Sequence, residues 1–356
     1  MDSVVSWLQR TLILWLVLTS YIALKWTEWF PAAIDPFSPE VFTNNHLYAS
    51  IAVTMLAVGL LLPRDEVQNV IRRWPMVLAG TAVQYISMPL LAMLVAKIWG
   101  FQDSQLIGVI IVGCVPGAMA SNVLTMNAGG NVSYSVSLTS SATLLSPIAV
   151  PIALWATLSG DGKVTPGMLL QSSMFLLMTV VVPVVVGHLI ARRCPSCERQ
   201  FKVWGTLTAN LVILLIIAAV VGRTRQHLAV YDLRVLWALL VINIVGYAVG
   251  YFAGRVIGMP EAMRRAITLE VGMQNAGVGT ALAMKLFDAQ TALAPALYTF
   301  GCMLTGTILA GVWSLQPIES MTNDEIPVGE MTNDEIPVGE MTNDEIPNDE
   351  GNPKSE

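Results

Sequence analysis

Long apolar segments alternate with short polar stretches along most of the chain. Most of these segments hold about 20 residues, the length that a helix needs to cross the hydrocarbon core of a membrane. The pattern therefore predicts an all-α polytopic membrane protein with ten transmembrane helices. The predicted segments cover residues 5–26, 47–63, 74–99, 105–127, 130–158, 165–191, 203–222, 234–257, 262–287 and 289–314.

Composition agrees with a membrane location. Of the 356 residues, 54% are hydrophobic and 12% are charged, whereas a soluble domain carries roughly 25% charged residues. The first segment follows Met1 and Asp2 without a basic region or a cleavage site, so we expect it to be a retained helix rather than a signal peptide. The lipid bilayer is the expected environment, and nucleic acid is not an expected partner.

Charge divides the chain into two predicted parts. Residues 1–318, the predicted ten-helix membrane domain, hold 13 acidic and 18 basic residues, a net charge of +5. Residues 319–356 hold 12 acidic residues and one lysine, a net charge of −11, with a ten-residue unit starting at Met321, Met331 and Met341. This acidic segment has little apolar content and is predicted to be a disordered cytoplasmic tail. It either docks a cytoplasmic partner or is a duplication without a role.

Basic residues in the loops predict the orientation. With the amino terminus inside, ten lysine and arginine residues fall in cytoplasmic loops and seven in outer loops, and positive charge is typical of the cytoplasmic side. We therefore expect both termini in the cytoplasm and the chain in the inner (plasma) membrane. The cytoplasmic set is Arg64, Arg72, Arg73, Arg192, Arg193, Arg199, Lys202, Arg255, Arg264 and Arg265, and the outer set is Lys25, Lys97, Lys163, Arg223, Arg225, Arg234 and Lys285.

Two segments carry signals that interrupt a helix. The fourth contains Pro116 with Gly113 and Gly117, and proline removes one backbone hydrogen bond and sterically blocks another. The fourth and ninth segments hold the same place in two sets of five, and because five is odd the second set enters the membrane from the opposite side. This pattern predicts inverted five-helix repeats whose discontinuous helices 4 and 9 cross in a core domain. The alternative is a simple kink, with glycines for close helix packing. The glycines of the ninth segment are Gly272, Gly277 and Gly279.

The ninth segment also contains a carboxylate that needs a physical explanation. Glu270 lies among apolar residues, and a charge at membrane depth is costly unless it is neutralised. The third segment contributes the amide of Gln84, and the fifth contributes Ser135 and Thr139, which share one helical face. Such oxygens suit a hard cation such as Na⁺ rather than a transition metal. The alternative for the hydroxyl groups is a hydrogen bond to their own helix.

Two stretches carry a resemblance to a known family. The sequences GCVPGAMASNVLTMNAGGNVSYSVSLTSSATLLSPIAVP and EVGMQNAGVGTALA together resemble the bile acid:sodium symporter family, including bacterial homologues of the apical sodium-dependent bile acid transporter. The matching motifs are a Ser-Asn pair after a Pro-Gly break, a Gly-Asn pair followed by Ser and Thr, and Glu-x-Gly-Met-Gln-Asn. The resemblance covers the ten-helix body and excludes the tail.

The resemblance implies a panel of helices 1, 2, 6 and 7 packed against a core of helices 3–5 and 8–10. It also implies two sodium sites at the matching positions. Sodium site 1 would comprise Ser121, Asn122, Ser135, Thr139 and Glu270. Sodium site 2 would comprise Gln84, Glu270 and Gln274 with the backbone carbonyls of Val271 and Met273.

The broken helices also predict a substrate site. Their second halves should begin near residues 119–121 and 275–276, and helix N-termini offer unpaired N–H groups that suit a carboxylate or sulfonate. No Lys or Arg is expected at this depth, so we expect a small organic monoanion, bile-acid-like or another monocarboxylate. Met119 and Met303 replace a threonine and an asparagine of some relatives, which favours a less polar contact. The predicted substrate-binding residues are Met119, Ala120, Ser121, Asn275 and Ala276.

These features predict a sodium-coupled secondary active symporter that works by alternating access, with Na⁺ as the coupling ion. Two alternatives stay open: a proton-coupled carrier of the same fold, in which Glu270 titrates, and a non-transporting sensor or scaffold that signals through the tail. An enzyme is not expected, since the sequence contains no Ser/His/Asp set, HExxH motif or phosphate-binding loop.

The cysteines give one further prediction. Cys194 and Cys197 form a Cys-Pro-Ser-Cys motif in a predicted cytoplasmic loop. Such a pair can be half of a zinc site, but no second pair follows and the three histidines are scattered. We therefore predict a reduced pair without a metal.

Overall fold

A computed structural model describes residues 11–31, 34–38, 40–64, 66–228 and 232–316. Regular structure in these ranges is helical, apart from one isolated backbone bridge. The predicted tail, residues 319–356, lies outside the described residues, as does the start of the first predicted segment. The chain is therefore an all-helical integral membrane protein over the part that the structure describes.

Seven helical spans in these ranges are long and apolar enough to cross a membrane. The other three predicted segments differ for visible reasons: the first forms an 18-residue helix that contains Lys25 and Glu28, and the fourth and ninth are each divided into two shorter helices. The count of ten transmembrane helices and the inverted repeat stay predictions. The seven spans are Asn44–Leu61, Trp74–Ile98, Val132–Leu158, Pro166–Arg193, Pro195–Arg223, Arg234–Val256 and Leu293–Ser314.

Fifteen α-helices can be assigned within the described ranges. They are α1 (Leu12–Trp29), α2 (Asn44–Leu61), α3 (Glu66–Arg72), α4 (Trp74–Ile98), α5 (Asp103–Cys114), α6 (Ala120–Asn127), α7 (Val132–Leu158), α8 (Pro166–Leu176), α9 (Val182–Arg193), α10 (Glu198–Arg223), α11 (Arg225–Leu228), α12 (Arg234–Val256), α13 (Glu261–Gly272), α14 (Ala276–Leu286) and α15 (Leu293–Ser314).

The two interrupted helices meet through their backbones. Between α5 and α6, the N–H of Ala118 donates to the carbonyl of Met273 at 2.8 Å. Between α13 and α14, the N–H of Asn275 donates to the carbonyl of Pro116 at 2.7 Å. These two hydrogen bonds form an antiparallel bridge that fixes the crossing, and they satisfy backbone groups that the interruptions would otherwise leave unpaired.

Glycine makes this close approach possible at two positions. A Cβ atom on Gly117 would lie 2.1 Å from Oε1 of Glu270, and one on Gly272 would lie 2.1 Å from the ring of Tyr247. Neither distance leaves room for a side chain. The glycines therefore allow the two chain segments and the Glu270 carboxylate to occupy one small volume.

The helices pack in two groups. In the first, α2 contacts α9 and α10, and α10 also contacts α1. In the second, α4 contacts α5, α7 and α12, while α12 contacts α13 and α15. The interrupted helices belong to the second group.

The sixth predicted segment forms one span with a local irregularity. A π-helical turn at Leu177–Val181 joins α8 to α9, directly before Pro183 at the start of α9. Proline has no N–H to donate to the preceding turn, and a widened turn accommodates the missing bond. The apolar pattern alone does not reveal this turn.

The loop between α9 and α10 corrects one prediction. Cys194 and Cys197 are joined in a disulfide, so the prediction of a reduced pair is wrong for this structure. The Pro195–Cys197 turn brings the two Cα atoms to 5.5 Å, which lies within the range that a disulfide spans. Cys114 and Cys302 are free and buried within helices.

Candidate cation and substrate sites

The carboxylate of Glu270 is buried at the crossing of the interrupted helices. Glu270 is 1% exposed, and its Oε2 accepts hydrogen bonds from Ser121 Oγ at 2.5 Å and from Thr139 Oγ1 at 2.7 Å. Its Oε1 has no hydrogen-bond partner. Among the described residues, no Lys, Arg or His forms an ion pair with this carboxylate. An ionised Glu270 therefore has no countercharge in the described structure.

All five residues predicted for sodium site 1 lie in one cluster. Asn122 Oδ1 accepts a hydrogen bond from Ser135 Oγ at 2.8 Å and lies 3.3 Å from Thr139 Oγ1. Thr139 in turn contacts Glu270, which also contacts Ser121. The structure thus connects the first turn of α6, the amino-terminal part of α7 and the end of α13.

Local sequence explains how α7 supplies its part of the cluster. The side chain of Asn131 accepts a hydrogen bond from the N–H of Tyr134 at 2.9 Å and so caps the start of α7. Ser135 and Thr139 follow one turn apart on the same face, as their spacing predicted. Both are buried, at 0% and 3% exposure.

The Thr139 and Ser121 hydroxyl groups each face more oxygen acceptors than they have hydrogens to donate. The Thr139 hydroxyl has one hydrogen, but Glu270 Oε2, Asn122 Oδ1 and the carbonyl of Ser135 all lie within 3.3 Å of its oxygen. The Ser121 hydroxyl likewise faces both the carboxylate and a backbone carbonyl. A hydroxyl donates only once, so several lone pairs face one another without a hydrogen between them. A hard cation would neutralise the carboxylate and use those lone pairs.

The residues predicted for sodium site 2 are close together but bonded to each other. Gln84 Nε2 donates to Gln274 Oε1 at 3.3 Å, and Gln274 Nε2 donates to the carbonyl of Val271 at 2.6 Å. The carbonyl of Met273 accepts the backbone bridge described above. No described hydrogen bond joins Glu270 to either glutamine. The hydrogen bond from Gln274 uses one lone pair of the Val271 carbonyl, so this second set is less open to a cation than the first.

A buried polar network that the sequence analysis missed holds the end of α13. The carbonyl of Gly272 accepts hydrogen bonds from Asn243 Nδ2 at 2.7 Å and from the Tyr298 hydroxyl at 2.6 Å. Thr305 Oγ1 donates to Asn243 Oδ1 at 2.5 Å. Asn243 and Tyr298 are each 1% exposed. The available signal was Asn243 itself, an amide within an apolar segment, because buried amides need partners.

A cavity of about 200 Å³ lies beside the crossing. One wall comes from α1, α2 and α10, and the other from the starts of α6 and α14 and from α15. Ser121 is not part of the wall, since its hydroxyl contacts Glu270 instead. Among the described residues, no Asp, Glu, Lys, Arg or His lines the cavity. The predicted substrate residues that do line it are Met119, Ala120, Asn275 and Ala276.

Both helix starts present hydrogen-bond donors to this cavity. Asn275 Oδ1 accepts from the N–H of Val278 at 3.2 Å and caps α14, which leaves the Asn275 amide nitrogen as a donor. The N–H groups of Met119, Ala120 and Gly277 form no hydrogen bond among the described residues. Donors without acceptors at two helix N-termini can hold a single negative charge.

Sequence comparison places these features in a family context. The model of the Sodium Bile acid symporter family matches residues 49–230. The uncharacterized sodium-dependent transporter YocS of Bacillus subtilis (strain 168) is 31% identical over 278 residues, which cover 78% of this chain and 86% of that protein.

Two relatives from eukaryotes extend the comparison. The probable chloroplastic sodium/metabolite cotransporter BASS1 of Arabidopsis thaliana is 29% identical over 273 residues, covering 76% of this chain and 67% of that protein. The ileal sodium/bile acid cotransporter of Oryctolagus cuniculus is 29% identical over 241 residues, covering 66% of this chain and 68% of that protein. These relatives are transporters rather than enzymes, and sodium dependence is common to their names. The chain therefore belongs to the sodium bile acid symporter family.

Proposed function

We propose that this protein moves Na⁺ and a small organic monoanion together across the membrane by alternating access. Sodium-coupled transport is the general activity of the family. The observation that carries the proposal for this chain is the buried Glu270 carboxylate, which has one oxygen without a partner and no countercharge among the described residues. Bound Na⁺ would supply that charge.

The two predicted sodium sites differ in how ready they are to bind. Site 1 has its oxygen groups already turned toward one another around Glu270, Asn122 and Thr139. In site 2 the Gln274 side chain uses one lone pair of the Val271 carbonyl. We therefore propose that Na⁺ occupies site 1 first and site 2 second.

The cavity supports a compact substrate. Its volume of about 200 Å³ is below the roughly 300–1,000 Å³ typical of sites for drug-sized ligands. Its wall combines apolar side chains with amide donors near Asn275 and Met119. A small monocarboxylate fits this wall better than a bulky bile acid, and the missing cationic side chain disfavours a multiply charged anion.

The two packing groups support the predicted panel and core. The cavity lies between them, because α1, α2 and α10 form one wall and the crossing region with α15 forms the other. Movement of one group against the other would expose the cavity on alternate sides of the membrane. We propose this movement as the transport step, with both termini in the cytoplasm.

A thermal-shift screen of the purified protein tests the proposed function. A panel of monocarboxylates is compared in Na⁺ and in K⁺ at equal ionic strength, and each arm is repeated at two pH values. We expect ligand stabilisation in Na⁺ only and little dependence on pH, because binding to one state raises apparent stability. Stabilisation in K⁺ that follows pH instead would support the proton-coupled alternative and contradict the proposal.

The Gly272 network predicts a specific effect on sodium affinity. Tyr298→Phe removes one of the two donors to the Gly272 carbonyl while keeping the ring in place. Loss of one hydrogen bond costs about 0.5–1.5 kcal/mol, so the half-saturating Na⁺ concentration should rise about two- to tenfold. Tyr251→Phe is a matched control, since its hydroxyl donates to the Glu261 carboxylate at the start of α13 rather than to a carbonyl at the crossing. Equal Na⁺ dependence in both variants would contradict a positioning role for Tyr298.

Orientation can be measured with a single engineered cysteine. Ser196→Cys, in a background where Cys194 and Cys197 are serine, places an exposed thiol in the α9–α10 loop. An impermeant maleimide should label it only after the cells are opened, while the buried Cys114 and Cys302 stay unreactive. Labelling from outside intact cells would show the opposite orientation.

A further inference from the structure

Three residues form a layer next to the cavity, at the ends of three helices. Tyr48 lies near the start of α2, three residues and about 4.5 Å of helix before Ile51, which lines the cavity. Arg223 ends α10, and Lys285 lies in the last turn of α14. Arg223 lies seven residues, about 10 Å of helix, after Ile216, and Lys285 lies the same distance after Val278. Ile216 and Val278 both line the cavity. The layer faces the predicted outer side.

Tyr48 contacts one cation of this layer and belongs to the helix against which the helix of the other cation packs. The Nζ of Lys285 lies 5.6 Å from the centre of the Tyr48 ring, within the range of a cation–π contact. The helix that ends at Arg223, α10, packs against α2, which carries Tyr48 near its start. The Tyr48 ring is held in place by an edge-on contact with Phe175, whose ring centre is 5.1 Å away.

Neither cation has an acidic partner among the described residues. Arg223 Nε and Nη1 are buried and form no hydrogen bond, although a guanidinium normally satisfies its donors when it is removed from water. Lys285 is exposed, and no described residue forms an ion pair with it. Lys285 over the Tyr48 ring and Arg223 with two unpartnered nitrogen atoms, both without a carboxylate among the described residues, indicate that an anion from solution completes the group.

Four aspartates in the predicted outer loops are already bound to other groups. Asp35 pairs with Arg225, Asp103 with Lys163, and Asp232 with Arg234. Asp288 accepts from Ser104 and from the N–H of Thr291. Arg225, Lys163 and Arg234 thus have acidic partners, whereas Arg223 and Lys285 have none among the described residues.

We propose that Arg223 and Lys285 form a capture site for the carboxylate of the transported monoanion, with the Tyr48 ring against its apolar body. This site rests on the proposed function, since it takes the substrate to be an organic anion that enters from this side. Arginine and lysine donors match a carboxylate, and paired positive charges at an entrance raise the local concentration of an anion. Arg223 and Tyr48 belong to the panel helices and Lys285 to the core, so the site spans the proposed moving boundary.

Protection of Lys285 from chemical modification tests the site without transport. Full-length protein in an uncharged detergent and sodium-free choline buffer is treated with a water-soluble acetylating reagent, and acetylation of each lysine is followed by peptide mass spectrometry. Rising benzoate, at constant ionic strength, should slow the acetylation of Lys285 several-fold in a saturable manner. Lys163 is the internal control, because it already pairs with Asp103, and its acetylation should not change. Benzamide, which lacks the charge, should give no protection.

Two variants at Arg223 test whether the protection of Lys285 depends on the proposed site. Arg223→Gln should abolish the saturable protection of Lys285, whereas Arg223→Lys, which keeps the charge, should retain most of it. Protection that is absent in the wild type, or unchanged in Arg223→Gln, overturns the proposal. Protection by dimethyl phosphate but not by benzoate also overturns it, in favour of a lipid head group. Because no Na⁺ is present, failure here is distinguishable from failure of sodium coupling.

Discussion

Glu270→Gln is expected to abolish sodium-dependent uptake while the protein still inserts and folds. The substitution keeps the size of a side chain that is 1% exposed and removes the charge that a cation would neutralise. Because Glu270 is proposed to serve both sodium sites, both lose their carboxylate together. We expect uptake in Na⁺ to fall to the level measured in K⁺, and the thermal shift produced by Na⁺ to disappear.

The matched control for this variant is Glu40→Gln. Glu40 is an exposed carboxylate, so the change in net charge is the same without an effect on the crossing. Size-exclusion chromatography of both variants reports whether the fold is intact. A well-folded Glu270→Gln protein with the sodium dependence of the wild type would contradict the two-site proposal.

Gly117→Ala is expected to have an effect nearly as large, from a single added methyl group. The new Cβ would lie 2.1 Å from Glu270 Oε1 and 2.6 Å from its Cδ, so the carboxylate has to move. Oε2 is held by Ser121 and Thr139, and that movement would pull these hydroxyls out of the cluster. We expect the half-saturating Na⁺ concentration to rise more than tenfold, or sodium-dependent uptake to be lost.

Gly301→Ala provides the comparison for this effect. A Cβ at Gly301 meets no atom within 4 Å, and alanine is the better helix former by about 1 kcal/mol. Uptake by this variant should equal that of the wild type. Normal sodium affinity in Gly117→Ala would mean that the Glu270 carboxylate is not fixed where the proposed site needs it.

The sequence predicted the elements of the site because their signals are local. Pro116 and the nearby glycines mark the first interruption, and the structure ends α5 at Cys114 and begins α6 at Ala120. Glu270 could be identified because a carboxylate within an apolar membrane segment is costly unless a bound group neutralises it. The four-residue spacing of Ser135 and Thr139 fixes their common face, and both contact Asn122.

Long-range pairings could not be predicted in the same way. The bridge between Gly117 and Gln274, and the bonds from Asn243 and Tyr298 to Gly272, join positions far apart in the sequence. Helical periodicity gives the face of one helix but not its register against another. The sequence also does not give the direction of a side chain. Ser121 lies at a helix start that borders the cavity, yet its hydroxyl contacts Glu270.

Electrostatics at the crossing predict the order of binding. An anionic substrate has to approach a carboxylate, and two unit charges 4 Å apart repel by about 4 kcal/mol at an effective dielectric constant near 20. Two bound Na⁺ ions would change the charge of the cluster from −1 to +1 and connect the two interrupted helices. Sodium should therefore bind before the substrate, and substrate should raise sodium affinity by the same factor.

The most direct test measures substrate affinity across a sodium series. The best monocarboxylate from the screen is titrated by calorimetry into the purified protein, with choline replacing Na⁺ at constant ionic strength. The dissociation constant should fall at least about tenfold, or 1.4 kcal/mol, between zero and saturating Na⁺ in the wild type, and should not change in Glu270→Gln. A dissociation constant that is the same at zero and saturating Na⁺ in the wild type would contradict a coupling role for Glu270.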